Sequence, residues 1–516
     1  MRPVVLTILD GWGYSKQKFG NAILNAKTPN LDAIQRNYPS LLLQASGVAS
    51  GMLWGEPGNS EVGHLTAGAG RVVFQYLSRI SKAIDNGEFF NNEVLLKAVN
   101  HVKQNGSTLH LAGLLTSGSV HAYFNHLTAL VDFAKKNNIQ NLKLHLFTDG
   151  KDSGLKEAPV LIKKLEDYLI KTEIGKIATV IGRNFAMDRD NNWNFTKMTY
   201  DLMTAGAGQE TSDIYKKLDE YYTGGLHDSE IPATVIDSSG TIKAQDALIF
   251  FNFREDSMRQ ITRAFAEDNF SGFERPKIQN LFVAMFTPYL EGPDYNAAFS
   301  IPKIENGLAE IISKNGKKQL HIAETEKYAH ATYFFNCLNN KPFEGETDVF
   351  IKSDKNHLEK PAMQANEIAD KVVESIKNNA YDFIILNIAN ADVMAHIGKL
   401  EQVVQGIEAV DSAIGKIKNA VLEAGGALLI TADHGNAEAL VYKGTGEEET
   451  EHNQNPIPFY LVAGEYERVR SDEEITASMD KPSGFLSDVA PTVLELLGLP
   501  KPSEMTGDSL LGQIVP

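Results

Sequence analysis

Residues 427–436, ALLITADHGN, decide the fold class of this chain. The first half is apolar on both faces, the pattern of a strand buried inside a parallel sheet rather than of a half-exposed one. It stops at Asp433, followed by His434 and by Gly435, which permits a tight turn. Similar apolar runs recur in VVLTILD (4–10), LHLAGLL (109–115), KLHLFTD (143–149), ALIFFNF (247–253), YDFIILNI (381–388) and PFYLVAG (458–464). Helical-period stretches lie between them, such as 361–379 and 401–426, the latter ending in the glycine pair Gly425 and Gly426. This alternation predicts an α/β fold, a predominantly parallel sheet flanked by helices. There is no internal repeat, and the acidic GTGEEETEHNQNP (444–456) reads as an exposed loop.

A chain of 516 residues is long enough for two or more domains. Its 43% hydrophobic and 22% charged residues are those of an ordinary globular protein. A net charge of -17 argues against nucleic acid or an anionic membrane as the main partner, while leaving room for a small anion held by local cations. One cysteine, Cys337, excludes an intrachain disulfide. The N-terminal apolar run ends at Asp10, too short for a signal-peptide core or a membrane span, so a cytoplasmic protein is expected.

In open parallel sheets, polar residues beyond the carboxyl ends of strands build the site. Asp10, Asp149 and Asp433 each end a strand-like run. One such aspartate is as readily a turn or cap residue; the set asks for a common cause. NADVMAHIG (390–398) puts Asp392 and His396 one helical turn apart, and His452 stands in EHNQNPIP. Alone, the first pair reads as a helix ion pair and the last as a solvated loop residue. Together, carboxylates and imidazoles without thiolates suit Mn²⁺, Zn²⁺ or similar ions. Two such groups could hold two ions, clamping a transferring phosphoryl group from both sides. Ser60 stands in GNSEVGH (58–64), which is not a G-x-S-x-G elbow, and no Ser–His–Asp arrangement is evident. Metal activation of its hydroxyl is the more economical mechanism, and capping of a helix that starts there is the structural alternative.

These stretches resemble the cofactor-independent (2,3-bisphosphoglycerate-independent) phosphoglycerate mutases of the alkaline phosphatase superfamily. The likeness runs in order through LDGWG (9–13), GNAILNAKTPNLD (20–32), GNSEVGHLTAGAGR (58–71), GRNFAMDRD (182–190), FNFRED (251–256), AETEKYAH (323–330), TADHGN (431–436), NPIPFYLV (455–462) and SDVAPTVLELLGLP (487–500). It implies an alkaline-phosphatase-like, metal-binding domain made of residues 1–76 and 301–516, with an inserted α/β substrate domain at 77–300. One ion would be held by Asp392, His396 and His452, the other by Asp10, Ser60, Asp433 and His434. Mn²⁺ is the expected ion, with Zn²⁺, Co²⁺ or Mg²⁺ as alternatives. Ser60 would take the phosphate of 3-phosphoglycerate, and the glycerate would reorient. Its 2-hydroxyl would then attack the phosphoserine to give 2-phosphoglycerate, a step of glycolysis and gluconeogenesis. Lys327 would stabilise the phosphoryl group or protonate the departing oxygen. His121, Arg183, Arg189 and Arg254 would hold the substrate, and Asp152 would handle the proton of the 2-hydroxyl. Closure of the inserted domain would keep water out. The likeness further implies a monomer whose partner is the small-molecule substrate.

The departures cluster in the substrate half. DGKD (149–152) carries Lys151 where the family has an arginine, which keeps the charge and loses the bidentate fork. FNFREDS (251–257) carries Ser257 where the family has a second arginine, and TSGSVH (116–121) lacks the family's acid. The metal-holding half is intact. A metal-dependent phosphatase or phosphomutase acting on another small phosphorylated hydroxy acid is therefore the second reading.

Overall fold

The computed structural model describes residues 2–290, 292, 295–300, 303–442 and 444–515. The chain divides into two compact units, Met1–Gln75 with Lys303–Pro516, and Tyr76–Pro302. The division falls one residue before the expected 77 and two residues after the expected 300; Ile301 and Pro302 themselves lie outside the described residues.

The first unit is built on eight strands: β1 (Val4–Leu9), β2 (Ser40–Gln44), β3 (Gln319–Glu324), β4 (Glu346–Ile351), β5 (Phe383–Ile388), β6 (Ala427–Thr431), β7 (Ile457–Val462) and β8 (Pro482–Phe485). They lie in the order β4-β3-β5-β1-β6-β7-β2-β8. All neighbours are parallel except β7, which runs antiparallel to both β6 and β2. The two central strands β1 and β6 are wholly buried because helices cover the sheet. Helices Ala365–Lys377 and Leu400–Glu423 pack on each other and on the sheet, and Val489–Leu496 packs on β1. Register is what makes a site of this: Ile8 lies opposite both Asn387 of β5 and Thr431 of β6. The three central strands therefore end level, and Asp10, Asp392 and Asp433 emerge at one edge.

The second unit repeats the layer plan with its own eight-stranded sheet. Its long central strands are Leu109–Leu115, Leu142–Thr148 and Lys176–Gly182, flanked by Ala247–Phe250 and Phe282–Met285. Thr234–Val235 is the antiparallel exception, beside Lys176–Gly182. A polar chain crosses this apolar sheet. Asp246 faces His110 Nε2 at 3.2 Å, His110 Nδ1 meets His145 Nε2 at 3.0 Å, and His145 Nδ1 meets Thr179 Oγ1 at 2.8 Å.

Candidate active site

The site in the first unit starts from helix Ser60–Ala69. Asn59, not Ser60, is its N-cap: the Asn59 side chain accepts from Val62 N at 2.9 Å. That frees the Ser60 hydroxyl, which is buried and aimed at the strand ends. Two glycines bring the backbones this close. A Cβ on Gly63 would lie 2.7 Å from Asp433 Cβ, and one on Gly11 would lie 2.7 Å from Asp392 Cα, where Gly11 also has φ of +71°.

Ser60 Oγ donates to Asp10 Oδ1 at 3.1 Å, lies 2.9 Å from His434 Nε2 and accepts from Lys327 Nζ at 2.7 Å. Lys327 Nζ also lies 2.7 Å from both Asp10 Oδ1 and Asp392 Oδ2. Asp392 and His396 share one face of helix Asn390–Ile397, with His396 Nε2 3.4 Å from Asp392 Oδ1. His452 Nδ1 donates to Gly58 O at 3.0 Å, which turns its Nε2 toward Asp392 Oδ1 at 3.2 Å and His396 Nε2 at 3.1 Å. Every predicted metal ligand is thus brought to one place. The tightest groupings differ from the implied ones: Asp392 with His434 and His452, and Asp10 with Asp433 and His64. His434 Nε2 stands between them, 3.6 Å from both Asp10 Oδ1 and Asp433 Oδ2.

Sequence reasoning missed His64 and Asn387. His64 is fully buried, and its Nδ1 donates to Ser60 O at 2.8 Å with Asp433 Oδ2 3.3 Å away. Asn387 Nδ2 donates to Asp10 Oδ2 at 2.6 Å and to His64 Nε2 at 2.9 Å. The available signal was spacing, since His64 follows Ser60 by one helical turn. Glu438 was missed too; it accepts from Gly13 N at 3.0 Å and Asn436 N at 2.9 Å, tying the two strand-end turns together.

The electrostatics test whether cations fit. Three buried carboxylates, Asp10, Asp392 and Asp433, face one ammonium, so the rest of their charge is balanced only where the surrounding imidazoles are protonated. Burying unpaired charge costs several kcal/mol per ion. Asp433 Oδ2 also receives no hydrogen bond. Burial would raise Asp392, but Lys327 and the imidazoles of His396 and His452 outweigh it and hold the carboxyl well below the usual range. Burial is likewise outweighed at Asp433, by His434 and His64. Asp10 is raised, by burial first and by the Asp433 charge next. Burial would lower Lys327, yet Asp10 and Asp392 outweigh it and raise its ammonium. Carboxylate oxygens and imidazole nitrogens around a charge deficit fit divalent cations.

The second unit holds its own cluster. Arg183 Nη1 pairs with Asp149 at 2.5 Å and Asp152 at 2.8 Å. Asp149 also accepts from Thr116 Oγ1 and from the backbone of Lys151 and Asp152. Burial would raise Asp149, but Thr116 and Arg183 outweigh it and lower its carboxyl. His121 Nε2 lies 3.9 Å from Asp152 Oδ2. Burial first, and then the Arg183 charge, pushes His121 down to about 4. Arg189 and Arg254 both meet Asp256, the latter at 3.4 Å. Lys151 stands exposed. Ser257, which replaces an expected arginine, is buried with its Oγ 3.3 Å from His121 Nδ1.

Known proteins agree with this picture. A family profile described as "BPG-independent PGAM N-terminus" matches residues 80–291. A 2,3-bisphosphoglycerate-independent phosphoglycerate mutase of Clostridioides difficile (strain 630) is 42% identical over 518 residues, covering 99% of both chains. One from Methanosarcina acetivorans is 46% identical over 519 residues, covering 99% of this chain and 98% of that one. Among solved structures, Leishmania mexicana phosphoglycerate mutase at low cobalt concentration superposes with a TM-score of 0.68 at 28% identity, covering 98% of this chain and 97% of that one. Identity of this order along essentially the whole length means that the chain belongs to the 2,3-bisphosphoglycerate-independent phosphoglycerate mutase family.

Proposed function

We propose that this chain interconverts 3-phosphoglycerate and 2-phosphoglycerate through a phosphoserine at Ser60. The observation that carries the reading is the Ser60 hydroxyl, buried and in contact at once with Asp10, His434 and Lys327. Asp392, His396 and His452 would hold one divalent ion, and Asp10, Asp433 and His434 with Ser60 the other, with Mn²⁺ the expected metal. When bound, such ions supply charge that favours the ionised hydroxyl and offsets the phosphoryl oxygens. Ser60 Oγ attacks phosphorus as its proton passes to Asp10 Oδ1, to which it already donates, and the bond to the 3-oxygen breaks. Lys327, with three N–H donors, stabilises the phosphoryl oxygens and supplies a proton to the departing oxygen. The bound glycerate then turns. Asp152 takes the proton of its 2-hydroxyl, that oxygen attacks the phosphoserine, and Ser60 Oγ departs and recovers its proton from Asp10. Arg183, Arg189, Arg254, Lys151 and His121 hold the anionic ends of the substrate. Among the described residues no helix is long and apolar enough to cross a membrane. The reading carries with it a cytoplasmic monomer that binds no nucleic acid.

Ser257 and Lys151, in place of two expected arginines, support a second reading, a phosphatase or phosphomutase for another phosphorylated hydroxy acid. Quenched ³¹P NMR time courses with Mn²⁺ and 3-phosphoglycerate, without bisphosphoglycerate, separate the two. Chelator-sensitive growth of 2-phosphoglycerate is expected. Growth of inorganic phosphate alone would replace the first reading by the second.

A further inference from the structure

We propose that Asp152 fixes the tautomer of His121, so that this imidazole presents an Nε2–H toward Asp152 and toward an anionic oxygen of the ligand, and that Ser257 is a positioning residue that holds the ring in that state by donating to Nδ1. The side chains concerned are built into one another. The His121 carbonyl accepts from Phe253 N at 2.9 Å and Arg254 N at 3.4 Å, so the ring is tied to the segment that carries Ser257. Ser257 is itself held, with its N donating to Asp256 Oδ1 at 2.8 Å while Asp256 pairs with Arg189 and Arg254. It is only 3% exposed, and its Oγ lies 3.3 Å from His121 Nδ1.

Burial and the neighbouring Arg183 keep the His121 ring neutral at ordinary pH, so it has a single ring proton to place. A serine hydroxyl can either donate or accept, so Ser257 alone accommodates both tautomers. Asp152 breaks the tie. Its Oδ2 is buried and makes no hydrogen bond, although Arg183 Nη1 is 2.8 Å away. With the proton on Nδ1, the Nε2 lone pair would face that carboxylate oxygen at 3.9 Å, two electron pairs with nothing between them. With the proton on Nε2, the ring points a donor at that carboxylate oxygen and Nδ1 receives the Ser257 hydroxyl proton. The hydroxyl also supplies this donor without adding a charge beside a ring that already neighbours Arg183 and Arg254. The resulting imidazole is a donor to anionic oxygen and not a base, which leaves the proton-accepting role to Asp152.

The kinetic arm of the test rests on the proposed mutase reading, and the spectroscopic arm does not. Full-length protein labelled with ¹⁵N-histidine and loaded with diamagnetic Zn²⁺ would be examined by side-chain ¹⁵N NMR, with His121 assigned by the signal lost in His121→Asn. The expected result is a protonated Nε2 and an unprotonated Nδ1 in the wild type. Asp152→Asn should populate both tautomers, and Ser257→Ala should lower kcat/KM about fivefold, the equivalent of one hydrogen bond. Ser257→Thr should restore kcat/KM. A protonated Nδ1 in the wild type, or an unchanged tautomer in Asp152→Asn, overturns the proposal. The expected tautomers in a protein that does not interconvert phosphoglycerates would uphold it and overturn only the mutase reading.

Discussion

Replacing Lys327 by methionine keeps the length of the side chain and removes the one ammonium among three buried carboxylates. Its Nζ lies 2.7 Å from an oxygen of Asp10 and of Asp392. At an effective dielectric of about 20, each such pair attracts by roughly 6 kcal/mol. Much of that sum is offset, because the ammonium no longer has to be stripped of water. Removing one partner of a buried pair costs about 3–5 kcal/mol net. For a unit of this size, about 2 °C of Tm accompanies each kcal/mol, so Lys327→Met should melt roughly 6–10 °C below wild type. Differential scanning calorimetry in excess chelator measures this directly. Adding Mn²⁺ should narrow the gap, since divalent charge supplies what the ammonium supplied. A chelated variant melting within about 1 °C of wild type would refute the reasoning: the carboxylates would then not depend on Lys327 for charge compensation.

Ser60→Ala should reduce interconversion by at least about a thousandfold while metal content per chain, read by elemental analysis, stays largely intact because Asp10, Asp433 and His434 remain; a variant that still interconverts the substrates excludes the phosphoserine route. Gly63→Ala pushes a methyl group to 2.7 Å from Asp433 Cβ, so a loss of about 1–3 kcal/mol and weaker Mn²⁺ binding by calorimetry are expected. Unchanged affinity would mean that this contact does not place Asp433. The second unit should lose stability in acid. Burial pushes His126 down to about 3 and His110 and His145 below their ordinary value, so the unfolded chain takes up protons near pH 6.5 that the folded unit refuses. Stability then falls as pH drops below that value, by about 1.4 kcal/mol at pH 5.5 for His126. Urea midpoints at pH 7.5 and 5.5 test this, and a flat profile would show that the folded unit accommodates a protonated His126.

The parallel core was legible because its central strands are apolar on both faces; Leu109–Leu115 forms over the whole run anticipated for it. Edge strand β4, ETDVFI, was not, since its half-exposed residues include charges that read as loop. The strand-end aspartates were legible individually, yet their convergence depends on register, which no local pattern states. His64 sits among Val62, Leu65 and Ala67, where a histidine reads as core, and only the fold sets it against Asp433. Asn387 was hidden in the same way, inside an apolar strand. The domain junctions carry no shift in composition because both units are α/β and continue the chain in ordinary sequence.

The placing of β1 at the centre of its sheet sets the order in which a growing chain can complete itself. Val4 pairs with Phe383 and with Ala427, so the first strand made waits for neighbours translated much later. At about 5–20 residues per second, that wait is on the order of 20–75 s. The whole of 76–302 leaves the ribosome in the interval and forms its own sheet without help from either end. Val4–Leu9, buried along its whole length in the finished sheet, meanwhile stands without its strand neighbours, and Ser60 is synthesised long before Lys327 and His434, which it will meet.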